Sequence, residues 1–411
     1  MASPPGIPAR RAGLRLLDAV LRRGATLDQA DQAAMGGVPL PADRALARAI
    51  AGEVLRWMAD LDALIDSATR QRLAGDAKAR IVLRMMLAQW LRLNTPPHAV
   101  IATGLELLTG GPRRLAHGVF STLVRQRVAL PQAPTLPPGV AERWGERAGA
   151  IATGLAEPPP LDLTLRDPSE TTLWAERLGG ISLAPGHVRL ARGTAVERLE
   201  GFADGAWWVQ DFAASLPARL LGAGDGRRAL DLCAAPGGKA LQLAAAGWQV
   251  TALDISDARL GRLRENLART RLSAELVVVD MLEWEPPAPF DAVLLDAPCT
   301  ATGTARRHPE VLHRIGEPQI GEMARQQARM LERAAGWLAP GGRLVYAACS
   351  LEHAEGEAQA SRLPLPPEPI SAAELPAGLE PTAEGWLRTD PGMLADAGGM
   401  DGFLVARWQV D

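Results

Sequence analysis

Cysteine is scarce in this chain: three in 411 residues, Cys233, Cys299 and Cys349. An odd count with no close pair argues against a disulfide framework and for a reducing, cytoplasmic setting. Six histidines are scattered along the sequence, so no metal-ligand cluster is visible and no metal is expected. No run of about 18 apolar residues occurs, which excludes a membrane-spanning helix. The opening MASPPGIPARRAG has no apolar signal segment. Lysine is rarest of all for its class. Of 44 basic residues only Lys78 and Lys239 are lysine. A lysine kept at 239, inside a glycine turn, looks chosen for a compact ammonium that a planar guanidinium could not replace.

What is present fits a globular protein of two or three domains, with 47% hydrophobic residues. The net charge of −3 hides an asymmetry. Residues 1–130 carry 18 Arg and Lys against 10 Asp and Glu, and the remainder 26 against 37. A basic amino-terminal module on an acidic body points to an anionic partner, RNA first among candidates. The bland alternative is that arginine-rich helices simply have solvated faces. Arg10, Arg11, Arg22 and Arg23 are candidate phosphate contacts.

Residues 8–130 read as helical. Leu14, Leu17 and Leu21, then Ile50, Val54, Leu55, Met58 and Leu61, recur at helical spacing. Ile81 to Leu93 is apolar nearly all round and reads as a buried central helix. Asn94-Thr95-Pro96-Pro97 ends it, and His98 opens the next helix as a cap or packed turn residue. Pro131, Pro134, Pro137 and Pro138 mark a linker. Beyond it Ala141–Leu155 reads as a helix, 161–165 as a strand, Thr172–Leu178 as a helix, and His187–Leu190 and Trp207–Val209 as short strands. From Arg228 strands alternate with helices: Ala229–Cys233, Gln249–Asp254, Leu276–Asp280, Ala292–Asp296 and Arg343–Ala348, with helices at Ala258–Thr270 and Gln319–Leu338. That alternation predicts a parallel sheet covered on both faces. The expected fold is therefore multidomain. An all-α bundle occupies 1–130, a linker and small α+β module 131–225, and an α/β Rossmann-like domain 226–411.

The segment 231–239, DLCAAPGGK, runs from a strand through a glycine turn into a helix. Glycines allow close backbone approach to a ligand, and the helix start offers free N–H groups. Cys233, Ala234, Ala235, Pro236, Gly237, Gly238 and Lys239 are the candidate cofactor turn. Asp254 ends the next strand, where a carboxylate would meet ribose hydroxyls. Asp280 ends the third and Asp296 the fourth. Successive acidic strand ends fit S-adenosylmethionine better than a dinucleotide, because there is no pyrophosphate to seat; helix capping by the same acids is the alternative. Cys299 follows Asp296-Ala297-Pro298, and Cys349 follows the fifth strand. Carboxyl ends of neighbouring parallel strands face one crevice, so these thiols can share it, although a single cysteine is more often a packed structural residue.

ALDLCAAPGGK, LLDAPCTATG with Arg306-Arg307-His308-Pro309, LVYAACS and the terminal Asp401–Arg407 together resemble the RNA cytosine-5 methyltransferases of the Sun family. The amino-terminal block, with Pro96-Pro97-His98-Ala99 and Gly118–Arg125, resembles the NusB-type RNA-binding bundle of that family's bacterial member. The resemblance covers nearly the whole chain. It implies a NusB-like helical domain, a class I methyltransferase domain, S-adenosylmethionine as cofactor and small-subunit ribosomal RNA as partner, for a monomer without metal or membrane. It also implies roles. Cys349 is the nucleophile that adds to C6 of a cytosine and makes C5 nucleophilic. Asp296 binds the cytosine edge and helps protonate N3. Cys299 assists loss of the C5 proton and release of Cys349, and Lys239 contributes fixed positive charge. In DNA cytosine methyltransferases the nucleophile is the thiol of Pro-Cys, here Cys299; the presence of Cys349 favours the RNA class.

Departures from the family pattern are Ala348 in place of threonine before the nucleophile, and His353-Ala-Glu-Gly356 where Pro-Glu-Glu-Asn is usual. Leu363–Pro381 is proline-rich and irregular. Gln210-Asp211 matches a family position near the cofactor, and a helix cap by Asp211 explains it equally well. A non-catalytic RNA-binding or assembly factor, or a transfer-RNA methyltransferase, remains open on sequence alone.

Overall fold

The computed structural model describes residues 6–410. The chain forms two compact units. The first holds the described residues through Glu157 together with Ala305–Ile315; the second holds Pro158–Thr304 and everything from Gly316 onward. The helical unit thus extends past residue 130 and takes in a segment far along the chain.

The first unit is built from α1 (Ile7–Arg23), α2 (Leu27–Ala34), α3 (Pro41–Arg56), α4 (Met58–Ser67), α5 (Lys78–Leu91), α6 (Pro97–Gly104), α7 (Gly110–Gln126), α8 (Val140–Trp144) and α9 (Ala148–Leu155). The single helix expected over 141–155 is broken at Gly145, whose φ of 57° and ψ of −137° suit a residue without Cβ. His98 is exposed in the first turn of α6. As expected, α5 is the buried centre: Ile81, Val82, Leu83, Met86 and Leu87 are fully buried. Polar residues that periodicity did not single out are buried with them. Arg80 and Arg84 sit one turn apart on α5 and face Asp62 and Asp66, one turn apart on α4. Arg84 forks onto Asp62 at 2.7 and 2.8 Å, and Arg80 bonds Asp62 at 2.9 Å and also Asp66. Burying a guanidinium is tolerable only with such pairing. Arg10 is buried too and donates to Gln89 Oε1 at 2.7 Å, so it is a core residue and not a phosphate contact. The segment 305–315 is stitched in by backbone bonds. Arg56 donates to the Arg306 carbonyl at 2.8 Å, the Leu27 N–H to Glu310 at 3.0 Å, and His313 Nε2 to the Leu55 carbonyl at 2.6 Å.

In the second unit a small antiparallel sheet comes first, with β1 (Leu161–Leu165) between β2 (His187–Leu190) and β3 (Trp207–Val209), and α10 (Thr171–Leu178) beside it. Asp162 ties this sheet to α11 (Phe212–Arg219). It accepts two bonds from Arg189 at 2.7 and 2.8 Å and the Phe212 N–H at 3.0 Å. Burial opposes its ionisation, yet the Arg189 fork and His187 hold its carboxyl down at about 2.

The main sheet has β4 (Arg228–Leu232), β5 (Gln249–Asp254), β6 (Glu275–Val278), β7 (Phe290–Asp296), β8 (Leu338–Ala348), β9 (Leu387–Thr389) and β10 (Phe403–Gln409) in the order β6-β5-β4-β7-β8-β10-β9. The five strands read from the sequence are all there and run parallel. The sheet is nevertheless mixed, because β10 runs antiparallel between β8 and β9. The further helices of this unit are α12 (Gly238–Ala245), α13 (Asp257–Thr270), α15 (Glu317–Ala335) and α16 (Glu357–Ala360); α14 (Val311–Arg314) lies in the helical unit. Period-2 alternation sends Ala292 and Leu294 to one core, with Phe212, Leu241 and Leu260. Val293 and Leu295 go to the other, with Met330, Leu331 and Trp337. Both faces are therefore covered. Strand order reverses between β4 and β7, which opens a crevice at their carboxyl ends.

Candidate active site

The glycine turn lies at that reversal. Cys233 leaves β4 with a φ of 60°, and the Ala234 N–H bonds the Leu253 carbonyl at 3.0 Å, folding the turn over β5. Gly237 has a φ of 111°, and a Cβ there would meet Leu263 Cδ1 at 2.4 Å, so only glycine allows α12 to start here. Lys239, one residue into α12, is buried and directs its ammonium at Asp296 Oδ2, 2.6 Å away. The Phe403 ring lies 5.3 Å from the same nitrogen, a second attraction for the cation.

Before the turn lies a cavity of about 280 Å³. Cys233, Ala235, Asp254, Asp280, Asp296, Cys299 and Cys349, all singled out in the sequence, line it. Asp254 is fixed by the Ala235 and Ser256 N–H groups at 3.2 and 2.9 Å. Asp280 receives the Leu282 N–H at 2.9 Å. Ala234, Pro236, Gly237, Gly238 and Lys239 do not line the cavity; they shape the turn and position Asp296. Gln210 and Asp211 lie outside it as well. Asp211 caps α11 through the Ala213 N–H at 2.9 Å, and Gln210 bonds Trp208 and Gln242 at 2.8 and 2.7 Å. Sequence reading missed Arg259, which donates to the Ala235 carbonyl at 2.7 Å, and Ile255, an apolar residue left 66% exposed at the end of β5. The signal for Ile255 was there, since an apolar side chain directly after a strand-end acid suits the face of a planar base.

The electrostatics of this region are acidic. Asp231, inside β4, is fully buried, and neither of its carboxylate oxygens has a hydrogen-bond partner among the described residues. Burial first, and Asp296 second, push its carboxyl up to about 8. Burial and the same carboxylates push the Cys233 thiol up, which leaves it inert. A cavity walled by Asp254, Asp280 and Asp296, with Arg259 and Lys239 as the nearby cations, suits a ligand bearing ribose hydroxyls and positive charge. S-adenosylmethionine has both.

Cys299 and Cys349 lie with their sulfurs 3.3 Å apart across 50 residues of chain. Three backbone contacts knit their loops: Ala297 N–H to the Ala347 carbonyl at 2.9 Å, Gly303 N–H to the Cys349 carbonyl at 3.0 Å, and Gly402 N–H to the Gly303 carbonyl at 2.8 Å. A Cβ on Gly303 would lie 2.0 Å from the Gly402 oxygen, so the approach requires glycine. The hydrogen bond to Cys349, then burial, push the Cys299 thiol well above its ordinary range. Among the described residues no three His, Cys, Asp or Glu side chains are placed to hold a metal ion, and no helix is long and apolar enough to cross a membrane.

Sheet order, glycine turn and acid-lined crevice define a Rossmann-like class I methyltransferase. The comparisons identify which kind. A family model described as 16S rRNA methyltransferase RsmB/F matches residues 218–371, and a NusB family model matches 7–110. The ribosomal RNA small subunit methyltransferase B of Xanthomonas campestris pv. campestris is 35% identical, over 86% of this chain and 87% of its own. That of Pseudomonas putida is 32% identical over 97% of both chains. Of solved structures, PH0851 superposes with a TM-score of 0.72 over 99% of both chains at 21% identity. A methyltransferase homolog from Pyrococcus horikoshii superposes with a TM-score of 0.56 at 26% identity, over 71% of this chain and 98% of that one. The chain belongs to the RsmB/F family of S-adenosylmethionine-dependent rRNA methyltransferases, with a NusB-like helical domain at its amino terminus.

Proposed function

We propose that this protein methylates C5 of a cytosine in 16S ribosomal RNA through a covalent bond between Cys349 and C6. The observation that carries the reading is the pair of sulfurs 3.3 Å apart at the carboxyl ends of β7 and β8, beside the acid-lined cavity. The names of the relatives, ribosomal RNA small subunit methyltransferases B, support the choice of RNA.

The 3.3 Å contact sets Cys349 beside Cys299; Cys349 gives up its thiol proton to solvent as it attacks, because the thiolate is the nucleophile. Attack forms the S–C6 bond and moves an electron pair into the ring toward N3. Asp296 faces the base edge beside the Lys239 ammonium at 2.6 Å; a proton from solvent is taken up at N3 there and is given back once C5 carries the methyl group. S-adenosylmethionine, when bound, supplies the electrophilic methyl group for C5. The proton on Cys299 passes to solvent, and its deprotonated sulfur then takes the C5 proton. The freed pair re-forms the C5–C6 double bond, and Cys349 leaves as thiolate. The cytosine must be single-stranded or flipped to reach the sulfurs.

Incubation with labelled S-adenosylmethionine and small-subunit RNA, followed by nucleoside analysis, tests the reading. Label is expected in 5-methylcytosine. Label in another nucleoside, or none, overturns it.

A further inference from the structure

We propose that Glu355 is a positioning residue that clamps the Cys299 and Cys349 loops together and so sets the spacing of the two sulfurs. This rests on the roles given to both cysteines above. Glu355 lies in a short helical turn beyond β8 and is fully buried. One carboxylate oxygen accepts the Thr300 N–H at 2.8 Å and Gln327 Nε2 at 3.3 Å. The other accepts the Ser350 hydroxyl at 2.5 Å and the Thr300 hydroxyl. Thr300 directly follows Cys299, and Ser350 directly follows Cys349. One side chain therefore grips the residue after each thiol.

The clamp is anchored from both sides. Gln327 on α15 also donates to the Pro298 carbonyl at 2.8 Å, directly before Cys299. The Tyr346 hydroxyl donates to the Glu355 carbonyl at 2.6 Å, tying the carboxylate's own backbone to β8. Arg388 holds the Ser350 carbonyl at 2.6 Å. Four donors converge on one buried carboxylate, the arrangement that makes a buried anion tolerable and its geometry specific. Glu355 does not line the cofactor cavity, so its effect should fall on the chemical step and not on cofactor binding. The single carboxylate retained in the altered 353–356 turn is the one this role requires.

The test uses the full-length protein with S-adenosylmethionine and small-subunit RNA. E355A is expected to lower kcat on the order of 10²-fold, the loss that a misplacement of about 1 Å produces, with KM for S-adenosylmethionine and its equilibrium affinity unchanged. E355Q keeps an acceptor for the Thr300 N–H, and both hydroxyls can rotate toward its amide, so its loss should be smaller, on the order of tenfold. E355D cannot reach both loops and should fall below E355Q. If E355A fails to fold, E355Q decides: reduced kcat with intact cofactor affinity supports the clamp, and wild-type kcat overturns it. C349A separates the two levels. If C349A still methylates RNA, the cysteine roles and the clamp fall together. If C349A is dead while E355A and E355Q turn over at the wild-type rate, the clamp alone is wrong.

Discussion

Both units bury charge, but the helical bundle and the cofactor crevice do it in opposite ways. In the helical unit Arg80 and Arg84 are met by Asp62 and Asp66 at hydrogen-bonding distance. In the methyltransferase unit Asp254, Asp280 and Asp296 line one crevice, and Asp231, buried in β4, has no hydrogen-bond partner among the described residues. The first pattern closes on itself and specifies how two helices pack. The second keeps Asp231 protonated and sets three carboxylates against the two cations Lys239 and Arg259, an excess of negative charge at the crevice. A cofactor carrying a sulfonium and an ammonium answers it. Completed pairing thus marks structure here, and incomplete pairing marks the site.

Four changes would break or sharpen this contrast. The largest effect belongs to Cys349→Ala, which should cut methyl transfer by on the order of 10⁴-fold or more, as loss of a covalent nucleophile does, while leaving cofactor affinity intact. A radiolabel-transfer assay beside calorimetric titration with S-adenosylmethionine checks both halves. Next comes Asp62→Ala in the helical unit. It leaves Arg80 and Arg84 buried without their shared anion and should cost about 3–5 kcal/mol in denaturant unfolding. Less than 1 kcal/mol would mean that the pairing is decorative.

Asp254→Asn keeps one acceptor oxygen, enough for the Ser256 or the Ala235 N–H but not both, and removes a charge from the cavity wall. Its cofactor affinity should drop about tenfold, read by titration. The last change reads a pH slope. The Asp231 carboxyl ordinarily titrates at 3.8 and is raised to about 8 in the fold. Between those values the folded chain keeps a proton that the unfolded chain gives up. Its contribution to stability is therefore full below the lower value and is lost as pH rises through the upper one. Asp231→Asn should gain melting temperature relative to the parent as pH climbs from about 4 to about 8. Parallel melting curves across that range would contradict the assignment of Asp231 as an unpaired buried acid.

Much of the methyltransferase unit was legible because its strands are short apolar runs ending in acids or thiols, a pattern that states both the strand and the edge it faces. Gln249–Asp254 and His187–Leu190 match residue for residue. The antiparallel β9 and β10 were not foreseen. Phe403–Trp408 is buried on both faces and carries no period-2 signal to announce its direction. Periodicity found the buried helix α5 but not the arginines within it, since a pattern of apolar positions does not say which charges will be paired across helices. Arg10 was misjudged for the same reason. The cysteine pair could be inferred from parallel-sheet geometry. The Glu355 clamp could not, because its partners at 300, 327 and 350 come together only in the fold.

The proposed covalent bond at Cys349 is tested most directly by mixing Cys299→Ala with S-adenosylmethionine and small-subunit RNA and resolving the products under denaturing conditions. A protein–RNA adduct that maps by mass spectrometry to Cys349, and that vanishes in Cys299→Ala/Cys349→Ala, is expected. Normal turnover by the Cys299 variant with no adduct, or an adduct that survives loss of Cys349, would contradict the account.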